Sequence, residues 1–222
     1  MTREHHERHA ARRAEHHERR EQRRERRHSQ TREDILEAAR EVLLERGAAD
    51  LSLREIARRA DFSPAALYKY FDSKDDVIKA LAESAMAALV DAFAAVPAEL
   101  PPDRRAVELG LAYIAFAREN PEDVGVIEMH ESTAHPHPLT TDHLALEGTV
   151  IGVFREGIDA GVFTGDSQDA DIMAYGAWAL VQGLARFEQQ QRPVLADRVR
   201  SRRRELLTIY VNGLKTDWPA EG

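Results

Sequence analysis

The chain has 222 residues, 43% of them apolar and 32% charged, with 31 Lys+Arg against 39 Asp+Glu and a net charge of −8. That length allows one generous domain or two small ones, with a real buried core. The absence of cysteine excludes a disulfide scaffold, a cysteine nucleophile and cysteine-ligated metal, and the acidic balance, taken whole, argues against a nucleic-acid partner.

Residues 1–28 hold ten Arg, six Glu and six His, a formal charge of +4. They have almost nothing apolar to bury and cannot build a core. The segment reads as a disordered or fraying helical arm, either a solvated tail or an arm that tracks DNA phosphate. Helical patterning begins with the capping signature Thr31-Arg32-Glu33-Asp34, followed by Ile35, Leu36, Ala39, Val42 and Leu43. Gly47 stops that helix. Ser52-Leu53-Arg54-Glu55 opens a short second helix bearing Leu53, Ile56, Ala57 and Ala60. After the break Asp61-Phe62-Ser63, Ser63 caps a third helix, Pro64–Phe71, with Pro64 at its first position and Leu67 and Phe71 turned inward. Ser73-Lys74-Asp75-Asp76 caps a fourth, which carries Val77, Ile78, Leu81, Ala85, Leu89 and Phe93.

Two short helices joined by a tight turn over a third helix make a helix-turn-helix. With Leu67 and Phe71 buried, the outward face of the third helix shows Ala65, Ala66, Tyr68 and Lys69. Small residues let the backbone approach base edges, while a hydroxyl and a cation suit phosphate. From about Asp103 the pattern is again helical, with predicted helices over 103–119, 121–131, 141–160, 171–190 and 193–212 and no alternating β-branched runs. The longest stretch without a charged side chain, Ile172–Ala185, has 14 residues. That is too short to span a bilayer, which takes ~18 or more, so it reads as a buried helix. No apolar leader precedes Ile35, and the expected location is cytoplasmic, with no membrane association.

Residues 31–78 resemble the DNA-binding domain of the tetracycline-repressor (TetR) family of bacterial regulators. The resemblance is carried by Thr31, Arg32, Ile35, Leu36, Ala38, Ala39, Gly47, Leu51-Ser52-Leu53, Ile56-Ala57, Ala60, Phe62-Ser63-Pro64, Leu67-Tyr68-Lys69-Tyr70-Phe71 and Ser73-Lys74. Two departures stand out: Asp61 replaces the family's usual glycine, and Ala65 and Ala66 stand where a glycine is common. Asp tolerates the left-handed conformation better than most residues.

The resemblance implies an all-α chain with a helix-turn-helix DNA-binding domain at 29–80, behind the arm of 1–28, and a helical ligand-binding and dimerisation domain at 81–222. It implies a homodimer through helices 171–190 and 193–212, a palindromic double-stranded DNA operator, and a small hydrophobic or amphipathic effector that releases the protein from DNA. Arg32, Tyr68, Tyr70 and Lys74 would hold phosphates, with Lys69 beside them and Ser52 at the start of the second helix. Ser63, Pro64, Ala65 and Ala66 would lie nearest the bases, and Arg54 suits either role. Candidate effector contacts are Tyr113, Phe116, Met129, His130, Phe154 and Trp178.

The alternative reading is a metal-binding protein, a metal sensor or a helical enzyme built on His130, His135, His137 and His143. His130 and His135 are five apart and so about 140° apart around a helix, unlike the i, i+4 pair of metalloproteases. No phosphate-cradling glycine loop or Gly-x-Ser-x-Gly elbow occurs. The expectation is a non-enzymatic protein without cofactor or metal. The charge is also unevenly spread: residues 1–81 carry 19 Lys+Arg against 17 Asp+Glu, and the remainder 12 against 22. The acidic surplus therefore belongs to the second domain and does not exclude DNA from the first.

Overall fold

The capping signature at Thr31 does not start a helix. In the computed structural model, which describes residues 3–47, 50–131, 141–166, 168–188 and 193–215, α1 runs unbroken over Arg3–Arg46. The residues before Thr31 include no Gly or Pro, so nothing breaks the backbone ladder there. The Ser29 hydroxyl and the Gln30 amide donate to Glu33 (3.3 Å) and Asp34 (3.1 Å), one turn further on. The arm expected to be disordered or fraying is thus a backward continuation of the first core helix. Gly47, with φ 77°, ends it in the left-handed region.

The chain divides into two compact units, residues 1–80 and 81–222. In the first, α2 (Leu53–Arg59) packs on α1, and α3 (Pro64–Leu67) on α2. Ile35, Ala39, Val42, Ile56, Ala57, Leu67, Phe71 and Val77 form its buried interior. The Ser52 hydroxyl accepts the Glu55 N–H (3.2 Å), which is half of the expected capping box. The other half is lost because the Glu55 carboxylate instead takes Arg58 (2.6 Å) and Arg46 (3.1 Å). The box before α4 (Lys74–Ala94) is reciprocal: Ser73 Oγ accepts the Asp76 N–H (3.1 Å), and Asp76 accepts the Ser73 N–H (3.1 Å). The unit boundary falls within α4.

In the second unit, α5 (Pro102–Glu119) packs against α7 (Thr141–Asp159), α8 (Asp169–Glu188) and α9 (Pro193–Gly213). α6 (Pro121–Glu131) lies on α5. Phe93, Tyr113, Ile114, Phe116, Phe154, Phe163, Leu207 and Val211 build the core. The Tyr210 hydroxyl donates to the Met173 carbonyl (2.7 Å), a contact that needs the missing side chain of Gly176, where a Cβ would run into the phenol oxygen. Burial there pushes the Tyr210 phenol above its ordinary pKa.

The run Arg200, Arg202, Arg203 and Arg204 is neutralised within the chain. Arg204 pairs with Glu108, Arg200 with Asp197 (3.1 Å), and both Arg200 and Arg203 face the buried Glu188 (3.5 and 3.8 Å). The uncharged stretch of α8 is not wholly buried as its composition suggests, because Ile172 and Tyr175 are 72% and 67% exposed. Lack of charge marks a face fit for burial, and one stripe of this helix is not covered by the described residues. Among the described residues there is no strand, and no helix is long and apolar enough to cross a membrane.

Candidate DNA-binding face and ligand cavity

The turn between α2 and α3 is set by hydrogen bonds the sequence encodes. Ala60 ends α2, and the Phe62 N–H reaches back to the Ala57 carbonyl (2.8 Å), the long bond of a Schellman motif. The residue between them, Asp61, takes φ 58° and is the one non-glycine in the left-handed region among the described residues. The tight turn therefore survives the loss of the usual glycine, with Asp61 holding the conformation that glycine would adopt freely.

Ser63 then caps α3, its hydroxyl accepting the Ala66 N–H (3.2 Å). In accepting that bond the Ser63 hydroxyl keeps its own proton available for donation. The third helix is α-helical only through Leu67. Beyond it the Lys69 and Tyr70 N–H groups donate three residues back, to Ala66 (3.2 Å) and Leu67 (2.9 Å). This is a 3₁₀-type tightening where the apolar spacing predicts α-helix to Phe71. The tighter turn still buries Phe71 and leaves Tyr68 54% exposed.

Of the residues assigned to DNA, Ser52, Arg54, Ser63, Pro64, Ala65, Tyr68, Lys69 and Lys74 are exposed, and Ala66, Tyr70 and Arg32 are half-buried. The Arg32 guanidinium lies over the Phe71 ring, 5.3 Å from its centroid, so packing positions it as well as charge. Tyr70 stacks on His28, ring centres 4.7 Å apart. Other cations of the unit are spent on carboxylates: Arg59 pairs with Glu41 (3.0 Å) and Glu45, and its hydrogen bond holds the Glu45 carboxyl below the usual range. Arg54, Lys69 and Lys74 have no ion pair among the described residues.

The second unit contains a cavity of about 260 Å³ between α4, α5, α6, α7 and α8. Its walls include Met86, Leu89, Tyr113, Val124, Ile127, Leu146, Ile151, Ala174 and Trp178, with Glu128, Glu147, Tyr175 and Gln182 supplying the polar groups. Tyr113 and Trp178 pack as a tilted pair, centroids 4.7 Å apart at 58°. Two of the six sequence-based effector contacts, Tyr113 and Trp178, line this space. Phe154 lies with them around a much smaller void of about 30 Å³. Phe116 is in the hydrophobic core, and neither it nor Met129 nor His130 lines the cavity. The sequence reading missed Met86, Leu89, Glu128, Glu147 and Gln182. A carboxylate on an otherwise apolar helix face, as at Glu128 beside Val124 and Ile127, was the available signal.

His130 is buried on α6, His135 and His137 lie outside the described residues, as does the His143 side chain. Among the described residues no three metal-ligating side chains converge.

This architecture defines a helix-turn-helix protein whose second, all-helical unit holds an apolar cavity. Residues 35–81 match the family model for bacterial regulatory proteins of the tetR family. The chain is 31% identical over 149 residues to the HTH-type transcriptional regulator Rv1816 of Mycobacterium tuberculosis, covering 65% of this chain and 63% of that protein. The chain therefore matches less than two thirds of the length of this curated relative. It is 27% identical over 169 residues to the HTH-type transcriptional repressor NicS of Pseudomonas putida, covering 75% of this chain and 79% of that one. A bacterial regulatory protein of the tetR family from Rhodococcus RHA1 shares the fold, with TM-score 0.66, 20% identity and coverage of 82% and 96%. So does BioQ, solved with its double-stranded DNA operator, with TM-score 0.57, 21% identity and coverage of 83% and 97%. Residues 35–81 therefore carry a helix-turn-helix of the tetR type, and the rest of the chain shares the all-helical fold of these proteins.

Proposed function

We propose that the chain is a homodimeric, ligand-responsive transcriptional repressor that binds a palindromic double-stranded DNA operator. The observation that carries this reading is the exposed N-terminal end of α3. Pro64, Ala65 and Ala66 present small side chains and backbone, flanked by Tyr68, Lys69 and the cations Arg54 and Lys74, which have no ion pair among the described residues. Small groups at the tip admit the helix to a major groove, and the surrounding donors suit the phosphates on either side. Two such helices spaced ~34 Å apart would read an inverted repeat.

Dimerisation is supported by the stripe left open on α8 and α9. Ile172, Tyr175 and Ile209 are 72%, 67% and 61% exposed, and the Tyr210–Met173 hydrogen bond brings the first turns of α8 beside the last turns of α9. The cavity supports an effector with a mainly apolar body. α4 is one continuous helix that carries Lys74 at its start and the cavity residues Met86 and Leu89 further on. A ligand that favours one arrangement of α4 would shift the population of dimers whose recognition helices fit the operator. The chain works by binding and has no catalytic role, and its site of action is the cytoplasm.

Selection from a random duplex library tests the reading. Enrichment of an inverted repeat bound by two chains supports it. Failure to enrich any sequence at low salt contradicts it.

A further inference from the structure

The extension of α1 carries its charge in one place. Residues 1–18 hold four Arg and four Glu, whereas residues 19–28 hold six Arg and two Glu. The whole +4 of the segment therefore sits on the turns that adjoin the helix-turn-helix. Arg20, Arg23, Arg24 and Arg27 fall on one face of α1, and together with His28, Thr31, Lys69 and Tyr70 they line a single open cleft. His28 and Tyr70, their ring centres 4.7 Å apart, stack on each other within its wall. Unlike Arg46, Arg58 and Arg59, these four arginines have no carboxylate partner among the described residues.

Resting on the DNA-binding reading above, we infer that this arginine cleft is a second phosphate-binding site, which grips the DNA backbone flanking each half-site. Lys69 and Tyr70 belong both to the cleft and to the residues that follow the recognition helix. The surface offered to phosphate therefore continues from α3 onto α1 without a break. From Arg20 to Arg27 the helix advances about 10 Å, the axial length of about three phosphates of one DNA strand. Guanidinium groups take phosphate oxygens through paired N–H donors, and the small residues at the start of α3, Pro64, Ala65 and Ala66, are not part of the cleft. The cleft adds affinity and lengthens the footprint while leaving base preference to α3.

The test uses the full chain, the quadruple variant R20Q/R23Q/R24Q/R27Q, which keeps helix propensity, and the opposite variant E21Q/E25Q. Each is titrated by fluorescence anisotropy on a duplex recovered by selection, carrying about ten flanking base pairs on each side, and on a scrambled duplex, between 50 and 200 mM salt. Loss of three phosphate contacts lowers the slope of log affinity against log salt by about 2.7 per chain. The wild type then loses about 40-fold more affinity than the quadruple variant over that range. The ratio of selected to scrambled binding stays within about two-fold, and E21Q/E25Q steepens the slope. Equal slopes for wild type and quadruple variant on a duplex that both bind overturn this inference and leave the DNA-binding reading intact. Absence of binding by the wild type to any duplex overturns that reading, and the cleft with it.

Discussion

Residues 1–80 bury mainly aliphatic side chains with Phe71, whereas residues 81–222 bury several aromatic ones and hold a cavity of about 260 Å³. In the first unit Arg40, Arg46, Arg58 and Arg59 pair with its own glutamates, while Arg54, Lys69, Lys74 and the arginines at 20, 23, 24 and 27 have no ion pair among the described residues. The second carries 12 Lys+Arg against 22 Asp+Glu and holds a cavity lined by Tyr113 and Trp178, with Glu128 and Glu147 among its polar lining groups. A polyanion is thus attracted to one unit and repelled by the other. The net charge of −8 averages two opposite surfaces and describes neither.

That contrast can be broken at several points. The largest effect is expected from Leu67→Ala. Leu67 is the fully buried residue of α3 itself, and truncation costs about 3 kcal/mol. DNA binding is lost in an anisotropy titration, while the second unit still takes up an apolar probe such as prodan. Next, Ala174→Leu places extra volume into the cavity wall. Probe affinity is expected to fall about ten-fold, or ~1.4 kcal/mol, with affinity for DNA unchanged. A loss of DNA binding in this variant would blur the division of labour.

Asp61→Gly acts in the opposite direction. Relief of the left-handed backbone is expected to stabilise the first unit by about 1 kcal/mol, read as a raised midpoint in denaturant. Lys74→Ala is expected to weaken all DNA sequences alike and to lower the salt slope by about 0.9.

The smallest effect lies in the second unit, where the Lys215 ammonium 2.5 Å from Asp103 holds that carboxyl below its ordinary pKa. A depressed carboxyl pKa contributes stability above the unfolded value, near pH ~4, and that stability is lost as pH falls through the folded value. Asp103→Asn should flatten this part of the acid unfolding curve, followed by circular dichroism.

The helix-turn-helix was legible because it is local. Ser52, Ser63 and Ser73 cap within three residues of themselves, Gly47 and Asp61 mark turns by their tolerance of positive φ, and Leu67 and Phe71 repeat at one helical turn. Local signals also misled: Thr31 carries a capping pattern, but a cap forms only where the preceding chain leaves the helix, and nothing before it forces that. The 3₁₀ turn after Leu67 was hidden because its spacing still buries Phe71.

The cavity was hard to read for the opposite reason. Its wall is assembled from five helices, and a residue's side of the helix does not reveal whether the facing residue fills the space. Tyr113 and Trp178 stood out by size, whereas Met86 and Leu89 look like ordinary core in the sequence. The arginine cleft lay between these cases. Its composition was visible, but its proximity to Lys69 and Tyr70 required α1 to continue straight past Thr31.

The most direct measurement of the central claim is a competition titration of the purified chain on the duplex upstream of its own coding region, against a scrambled duplex of equal length at 100 mM salt. The account expects saturable binding of two chains per duplex, at least a hundred-fold tighter than to the scrambled sequence, weakened when Ala65 or Ala66 is enlarged. Equal affinity for both duplexes, or no binding to either, would contradict it.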